Sequence, residues 1–268
     1  MCLILFAYNV HPSYRLILAA NRDEFYDRPS APADFWAKRP QVLAGIDLKE
    51  KGTWLGVTRE GKFAAITNYR DPASLKSDAP SRGKLVSRYL TGLSDSGKYL
   101  KTISKKAQNY NGFNLLIGDE NDLFVYSNRS AAQKLPPGIY GLSNRLLDTP
   151  WPKVQRGKNM LKKTLAAKGD ELEEALFALL ADRHVPQDSQ LPETGVNLEW
   201  ERILSPIFIT SPIYGTRSST ILLVGKNKRV KLLEKVYNGD EDTWITSRFS
   251  FLQVKNHDST QAQSKMII

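Results

Sequence analysis

The chain has 268 residues, of which 41% are hydrophobic and 25% charged, with a formal net charge of +10; this is the composition of an ordinary globular protein. A single cysteine excludes an intramolecular disulfide framework and a CxxC metal or redox site. The three histidines, His11, His184 and His257, lie far apart in turn-like or polar contexts, which argues against a histidine zinc site or a Ser-His-Asp triad.

The first apolar run, residues 2–8 (CLILFAY), leads through turn chemistry at 9–13 into a second, residues 14–20 (YRLILAA). This pattern predicts a β-hairpin. With its turn centred near 11–12, residues whose numbers sum to about 23 face each other, so Cys2 meets Asn21. The tetrapeptide Asn21-Arg22-Asp23-Glu24 then gathers around the start of the chain. Strand alternation puts Asn21 and Asp23 on one face, Arg22 and Glu24 on the other.

Cys2 follows the initiator methionine, and removal of Met1 is expected because the second residue is small. The thiol would then share its residue with an α-amine titrating at about 7.7–8.0. Such an amine is a general base beside its own nucleophile. The structural alternative is that Cys2 is a small buried hydrophobe opening the strand. Nearby arginine is expected to depress the thiol pKa.

Further hairpins are predicted over 53–58 with 62–68 and over 113–118 with 123–127. Residues 81–91, 97–108, 152–168 and 170–181 read as helices, the last with a stripe of Leu172, Ala175, Leu176 and Leu179. Residues 183–197, with two prolines, form the longest irregular segment and a candidate lid. Strand character returns at 207–210, 219–225 and 230–237, and a polar tail begins at about 255. Hairpins interspersed with helix pairs predict an α+β domain covering residues 1–268.

The basic residues are spread along the chain, densest at 153–168 and 226–235, where Lys158, Lys162 and Lys163 read as a solvated helix face. No nucleic-acid motif accompanies them, so no nucleic-acid partner is expected; anionic ligands fit the charge equally well. No run approaches the roughly 18 apolar residues of a membrane span, and the N-terminus lacks a basic n-region. No integral membrane association and a cytoplasmic location are therefore expected.

Three strand ends run into polar residues: Asn68-Tyr69-Arg70, Asn144-Arg145, and Thr216-Arg217-Ser218-Ser219-Thr220. Each alone reads as turn or surface chemistry. With Cys2 they supply a nucleophile, amide donors and a fixed positive charge. Together with Met1-Cys2 and the Asn-Arg-Asp-Glu tetrapeptide, these segments resemble the NRDE family, the transport and Golgi organisation family, from Cys2 to about Phe251. That family resembles N-terminal nucleophile hydrolases, which implies a four-layer αββα sandwich with two antiparallel sheets between helix layers. Within that superfamily the pattern is similar to choloylglycine hydrolase and penicillin V acylase. The resemblance implies Cys2 as nucleophile and base, Asp23 orienting its amine, and Asn68 and Asn144 in the oxyanion region. Arg217 would be the late arginine. Arg22 joins the set, although here Asn21 precedes it, whereas the acylase pattern places arginine first.

Two functions stay open at this point. One is an N-terminal cysteine amidohydrolase or thioesterase acting on a small-molecule acyl amide or thioester through an acyl-enzyme, with no cofactor. The other, drawn from what the resemblance implies, is a non-catalytic haem or acyl-CoA binding and trafficking protein on the same fold.

Overall fold

A computed structural model of the chain describes residues 2–237 and 244–254; Met1 and the expected tail lie outside the described residues. In chain order, β1 (Cys2–Tyr8) and β2 (Tyr14–Phe25) form the expected hairpin. Next come β3 (Ser30–Trp36), β4 (Arg39–Asp47), β5 (Leu55–Thr58) and β6 (Phe63–Asn68). Two helices, α1 (Gly83–Thr91) and α2 (Ser96–Ser104), precede β7 (Phe113–Gly118), β8 (Leu123–Ser127), β9 (Ser130–Lys134) and β10 (Gly138–Leu142). Helices α3 (Pro152–Thr164), α4 (Gly169–Leu180) and α5 (Leu198–Ile203) lead to β11 (Tyr214–Gly225), β12 (Arg229–Tyr237) and β13 (Trp244–Leu252).

The strands make two antiparallel sheets, ordered β10-β1-β2-β11-β12-β13 and β3-β4-β5-β6-β7-β8-β9. Ile4, Phe6, Leu18 and Leu222 of the first sheet meet Leu43, Val57 and Leu116 of the second in a dry inter-sheet core. The opposite face of the first sheet (Leu3, Leu5, Ile17, Ile221) packs on α3 and α4 through Val154, Leu161, Leu172 and Leu176. The outer face of the second sheet (Ala64, Leu115, Ile117) packs on α1 and α2 through Leu85, Tyr89, Leu100 and Ile103. The order is helix, sheet, sheet, helix, the αββα sandwich that the resemblance implied.

Local chemistry accounts for the element ends. Asp95 caps α2 by accepting the Lys98 N–H at 2.8 Å, and Asn197 caps α5 by accepting that of Trp200 at 2.9 Å. Pro152 opens α3, where its missing N–H costs nothing. Gly157 lets α3 lie against β1, since a Cβ there would stand 2.5 Å from Leu5 Cδ1.

Some segments depart from the sequence reading. Residues 207–210 are not a strand. Ile209 instead exchanges hydrogen bonds with Thr216, its N–H donating to Thr216 Oγ1 at 2.9 Å and its carbonyl accepting the Thr216 N–H at 2.9 Å. Strands β3, β9 and β13 lie at sheet edges or beside them and lack clean apolar alternation; β9 is exposed throughout. The segment 183–197 contains a short 3-10 turn, Asp188–Gln190. It is pinned at Thr194, whose N–H donates to Glu201 Oε1 at 2.9 Å.

Candidate active site

The β1–β2 register places Cys2 opposite Arg22 and Leu3 opposite Asn21, one residue beyond the expected pairing of Cys2 with Asn21. The cause lies in the turn. His11 Nδ1 accepts the Ser13 and Tyr14 N–H groups at 3.1 and 3.2 Å, Asn9 takes a positive φ of 53°, and its N–H closes on Arg15 O at 2.8 Å. A five-residue turn centred on residue 12 results, and every pair shifts with it.

Cys2 and Arg22 therefore share the inter-sheet side with Ile4 and Ala20, while Asn21 turns toward the helices. Asn21 Nδ2 donates to Leu180 O and Ile207 O, both at 2.9 Å, and its Oδ1 accepts from Ser219 Oγ at 2.6 Å. Three buried bonds make it an architectural residue that ties β2 to β11, to the end of α4 and to the loop after α5. Arg22, 6% exposed, lays its guanidinium 4.4 Å over the Trp54 ring.

Asp23 is buried at 1% exposure. Its Oδ1 accepts from Thr216 Oγ1 at 2.8 Å. Cys2, Arg22, Asp23 and Asn68 line one pocket of about 250 Å3, closed by Trp54, Arg82 and the Pro80–Gly83 segment. Its walls are charged: Arg28 bonds Asp47 at 2.6 Å and sits 3.7 Å from Glu24, all three in the lining. A larger groove of about 560 Å3 between α4 and β12 does not contain the thiol.

Asn68 ends β6, and among the described residues its side-chain amide makes no hydrogen bond. Asn144 stands behind it, fully buried. Its Nδ2 donates to Asn68 O at 2.9 Å, and its own carbonyl accepts the Arg70 N–H at 2.7 Å. The β1–β10 register pairs Ile4 with Leu142, so its continuation brings Asn144 level with Cys2. The structure thus gathers Cys2, Arg22, Asp23 and Asn68 in the pocket, with Asn144 holding Asn68 from outside the lining.

Arg217 is placed elsewhere. Thr216 pairs with Asp23 and Ser218 with Arg22, so Arg217 is the extra residue of a β-bulge. Its Nη1 donates to the carbonyls of Phe25, Tyr26 and Arg28 at 2.9, 2.9 and 3.1 Å. It fixes the turn that carries Arg28 and does not line the pocket. The candidate lid is likewise absent from the lining.

Burial pushes the Cys2 thiol up; the positive chain terminus is the largest influence pulling it down, the Asp23 charge adds to the rise, and Arg22 pulls against it without reversing it. With Met1 in place the expected depression of the thiol pKa is absent, because a low-dielectric position disfavours the thiolate more than the chain terminus and Arg22 favour it. Alkylation of Cys2 against pH should accordingly show its midpoint above the ordinary thiol range. A midpoint near neutrality would mean that a thiolate is present at rest.

Sequence reasoning missed Lys153, Glu201 and Arg82. Lys153 opens the basic run 153–168 without a role of its own in the sequence, yet it is 5% exposed and Nζ donates to Leu204 O at 2.8 Å. Glu201 pairs with Arg70 at 2.9 Å, both buried. Arg82 borders the pocket and donates to Gly112 O at 2.9 Å. A helical line through Lys153, Gly157 and Leu161, all buried, was the available signal for Lys153.

Residues 1–239 match the family model described as Transport and Golgi organisation 2. The Transport and Golgi organization protein 2 homolog of Bos taurus is 41% identical, over 94% of this chain and 99% of its own length. The Homo sapiens homolog is 39% identical over the same shares. Among solved structures, the Caenorhabditis elegans N-acylethanolamine-hydrolyzing acid amidase ortholog superposes with a TM-score of 0.49 at 13% identity, covering 90% of this chain and 94% of that one. On its family match and these relatives, the chain belongs to the Transport and Golgi organisation 2 family.

Proposed function

We propose that this protein is an N-terminal cysteine hydrolase that cleaves a non-peptide amide or a thioester through an acyl-enzyme on Cys2. The observation that carries the reading is one pocket holding both the only thiol of the chain and an Asn68 side-chain amide that makes no hydrogen bond among the described residues.

Once Met1 is removed, the Cys2 α-amine accepts the thiol proton as sulfur attacks the carbonyl carbon. The raised thiol pKa fits this order: the proton leaves during attack rather than beforehand. The Asn68 amide donates to the oxygen on which charge develops. The amine then returns its proton to the departing nitrogen or sulfur, and water, activated by the same amine, releases the acyl group. Asp23 orients the amine, and Arg22 contributes positive charge beside the sulfur.

A pocket of about 250 Å3 with charged walls favours a compact polar acyl group over a long alkyl chain or a planar macrocycle. His11 is engaged at the far end of the β1–β2 hairpin, away from this pocket. These features favour hydrolysis over the haem-carrier alternative. The test is a panel of acyl amides, penicillin V and acyl-CoA thioesters assayed for hydrolysis beside haem and acyl-CoA titrations. Turnover of a panel member supports the reading; tight binding with no turnover of any member contradicts it.

A further inference from the structure

Two arginines of the Cys2 pocket carry more donors than the chain satisfies. Arg22 is 6% exposed and stacks 4.4 Å over the Trp54 ring, yet its guanidinium makes no hydrogen bond or ion pair among the described residues. Buried donors of this kind normally find an acceptor, and a guanidinium offers several. Arg82 gives one N–H to Gly112 O at 2.9 Å and has no carboxylate partner among the described residues. Both line the pocket that holds Cys2.

The start of α1 borders the same pocket through Ser81, Arg82 and Gly83. This helix has neither a side-chain cap nor an acidic residue in its first turn. The Lys84 and Leu85 N–H groups close on Ser81 O and Arg82 O at 3.2 and 2.9 Å, while the backbone N–H groups of Arg82 and Gly83 have no partner among the described residues. An uncapped helix start favours negative charge.

The carboxylates in the lining leave these donors open. Asp23 accepts from Thr216 at 2.8 Å, Asp47 bonds Arg28 at 2.6 Å, and Glu24 sits 3.7 Å from Arg28. Glu50 follows in the Asp47 turn, where Asp47 Oδ1 accepts its N–H at 3.3 Å. Among the described residues no ion pair joins any of them to Arg22 or Arg82. So many acids in one pocket repel a multiply charged phosphate, whereas a single carboxylate meets the planar fork of a guanidinium edge to edge.

We propose that Arg22, Arg82 and the start of α1 form a carboxylate-binding subsite beside Cys2, so that the substrate carries a carboxylate near its scissile amide or thioester carbonyl. As a statement about substrate this rests on the hydrolase reading above; as a statement about binding it does not. Trp54 holds the Arg22 guanidinium flat and Gly112 O holds that of Arg82, so both are fixed before a ligand arrives. A pocket of about 250 Å3 then suits a short acid amide better than its neutral counterpart.

The test compares alkylation of Cys2 by iodoacetate and by iodoacetamide, which place a carboxylate or a neutral carboxamide on the same electrophilic carbon. With either reagent sulfur displaces iodide from that carbon and the thiol proton leaves to solvent. The ratio of the two rates, read by intact mass, cancels changes in general thiol reactivity. It should exceed the ratio for N-acetylcysteine by on the order of tenfold, saturate with iodoacetate, and fall back by a similar factor in Arg82→Gln, which keeps a donor for Gly112 O. If Arg82→Gln fails to fold, the parent decides: succinate should protect Cys2 from iodoacetamide, and succinamide should not. A parent ratio no higher than that of N-acetylcysteine, a ratio unmoved in Arg82→Gln, or equal protection by succinate and succinamide overturns the proposal. Hydrolysis of succinamate against succinamide, and of N-acetylglycine against N-acetylglycinamide, then shows whether the carboxylate belongs to the acyl or the leaving side; faster turnover of both neutral members would also overturn it. Inertness on all of these would count against the hydrolase reading alone, because the alkylation ratio reads the subsite without catalysis.

Discussion

Cys2→Ala is expected to lower turnover by on the order of a million-fold, the scale on which hydrolases lose activity when the nucleophile is deleted. Substrate affinity should change little, because sulfur acts only in the chemical step. The fold should survive. Cys2 opens β1 with its thiol enclosed but part of the residue exposed, and the inter-sheet core beneath it is held by Ile4, Phe6 and Leu18. The measurement is kcat and Kd side by side for parent and variant. Turnover left intact in Cys2→Ala would exclude the covalent route.

Asn68→Ala should lower kcat by about 100–1000-fold, the usual cost of removing one donor to a developing oxyanion. KM should stay within a small factor, since that charge exists only in the transition state. Asn144→Ala gives the contrast. Its amide holds the Asn68 backbone carbonyl at 2.9 Å, so it acts through Asn68 and should cost less. Because Asn144 is fully buried, this substitution should also lower the melting temperature more than Asn68→Ala does. Steady-state kinetics with thermal melts separate the two. Equal losses of kcat with no difference in melting would contradict the assigned roles.

The elements that were legible in the sequence are those whose pattern is local. The β1–β2 hairpin follows from two apolar runs around a turn, and the α+β class from hairpins interspersed with helix pairs; the αββα order came only with the family resemblance. What could not be read was the exact length of that turn. His11 accepts two backbone N–H groups, and the resulting slip of one residue puts Arg22 beside Cys2, leaving Asn21 to the helix layer. Arg217 stood out as an arginine among hydroxyls, but a bulge sends it to the carbonyls of Phe25, Tyr26 and Arg28. Bulges of this kind leave no periodic trace. Lys153 and Glu201 come from helices distant in sequence, and nothing local to either marks it as buried until the layers are stacked. The edge strands β3 and β13 lack the alternation that marks a half-buried strand.

The central claim is that Cys2, freed of Met1, carries the acyl group. Intact-mass spectrometry of the purified protein, taken before and shortly after mixing with a substrate it hydrolyses and followed by peptide mapping, tests this directly. The account predicts a starting mass lacking one methionine and a transient adduct of the acyl mass confined to the peptide that begins at Cys2. Turnover by a chain that retains Met1, or with the adduct on any other residue, would contradict it.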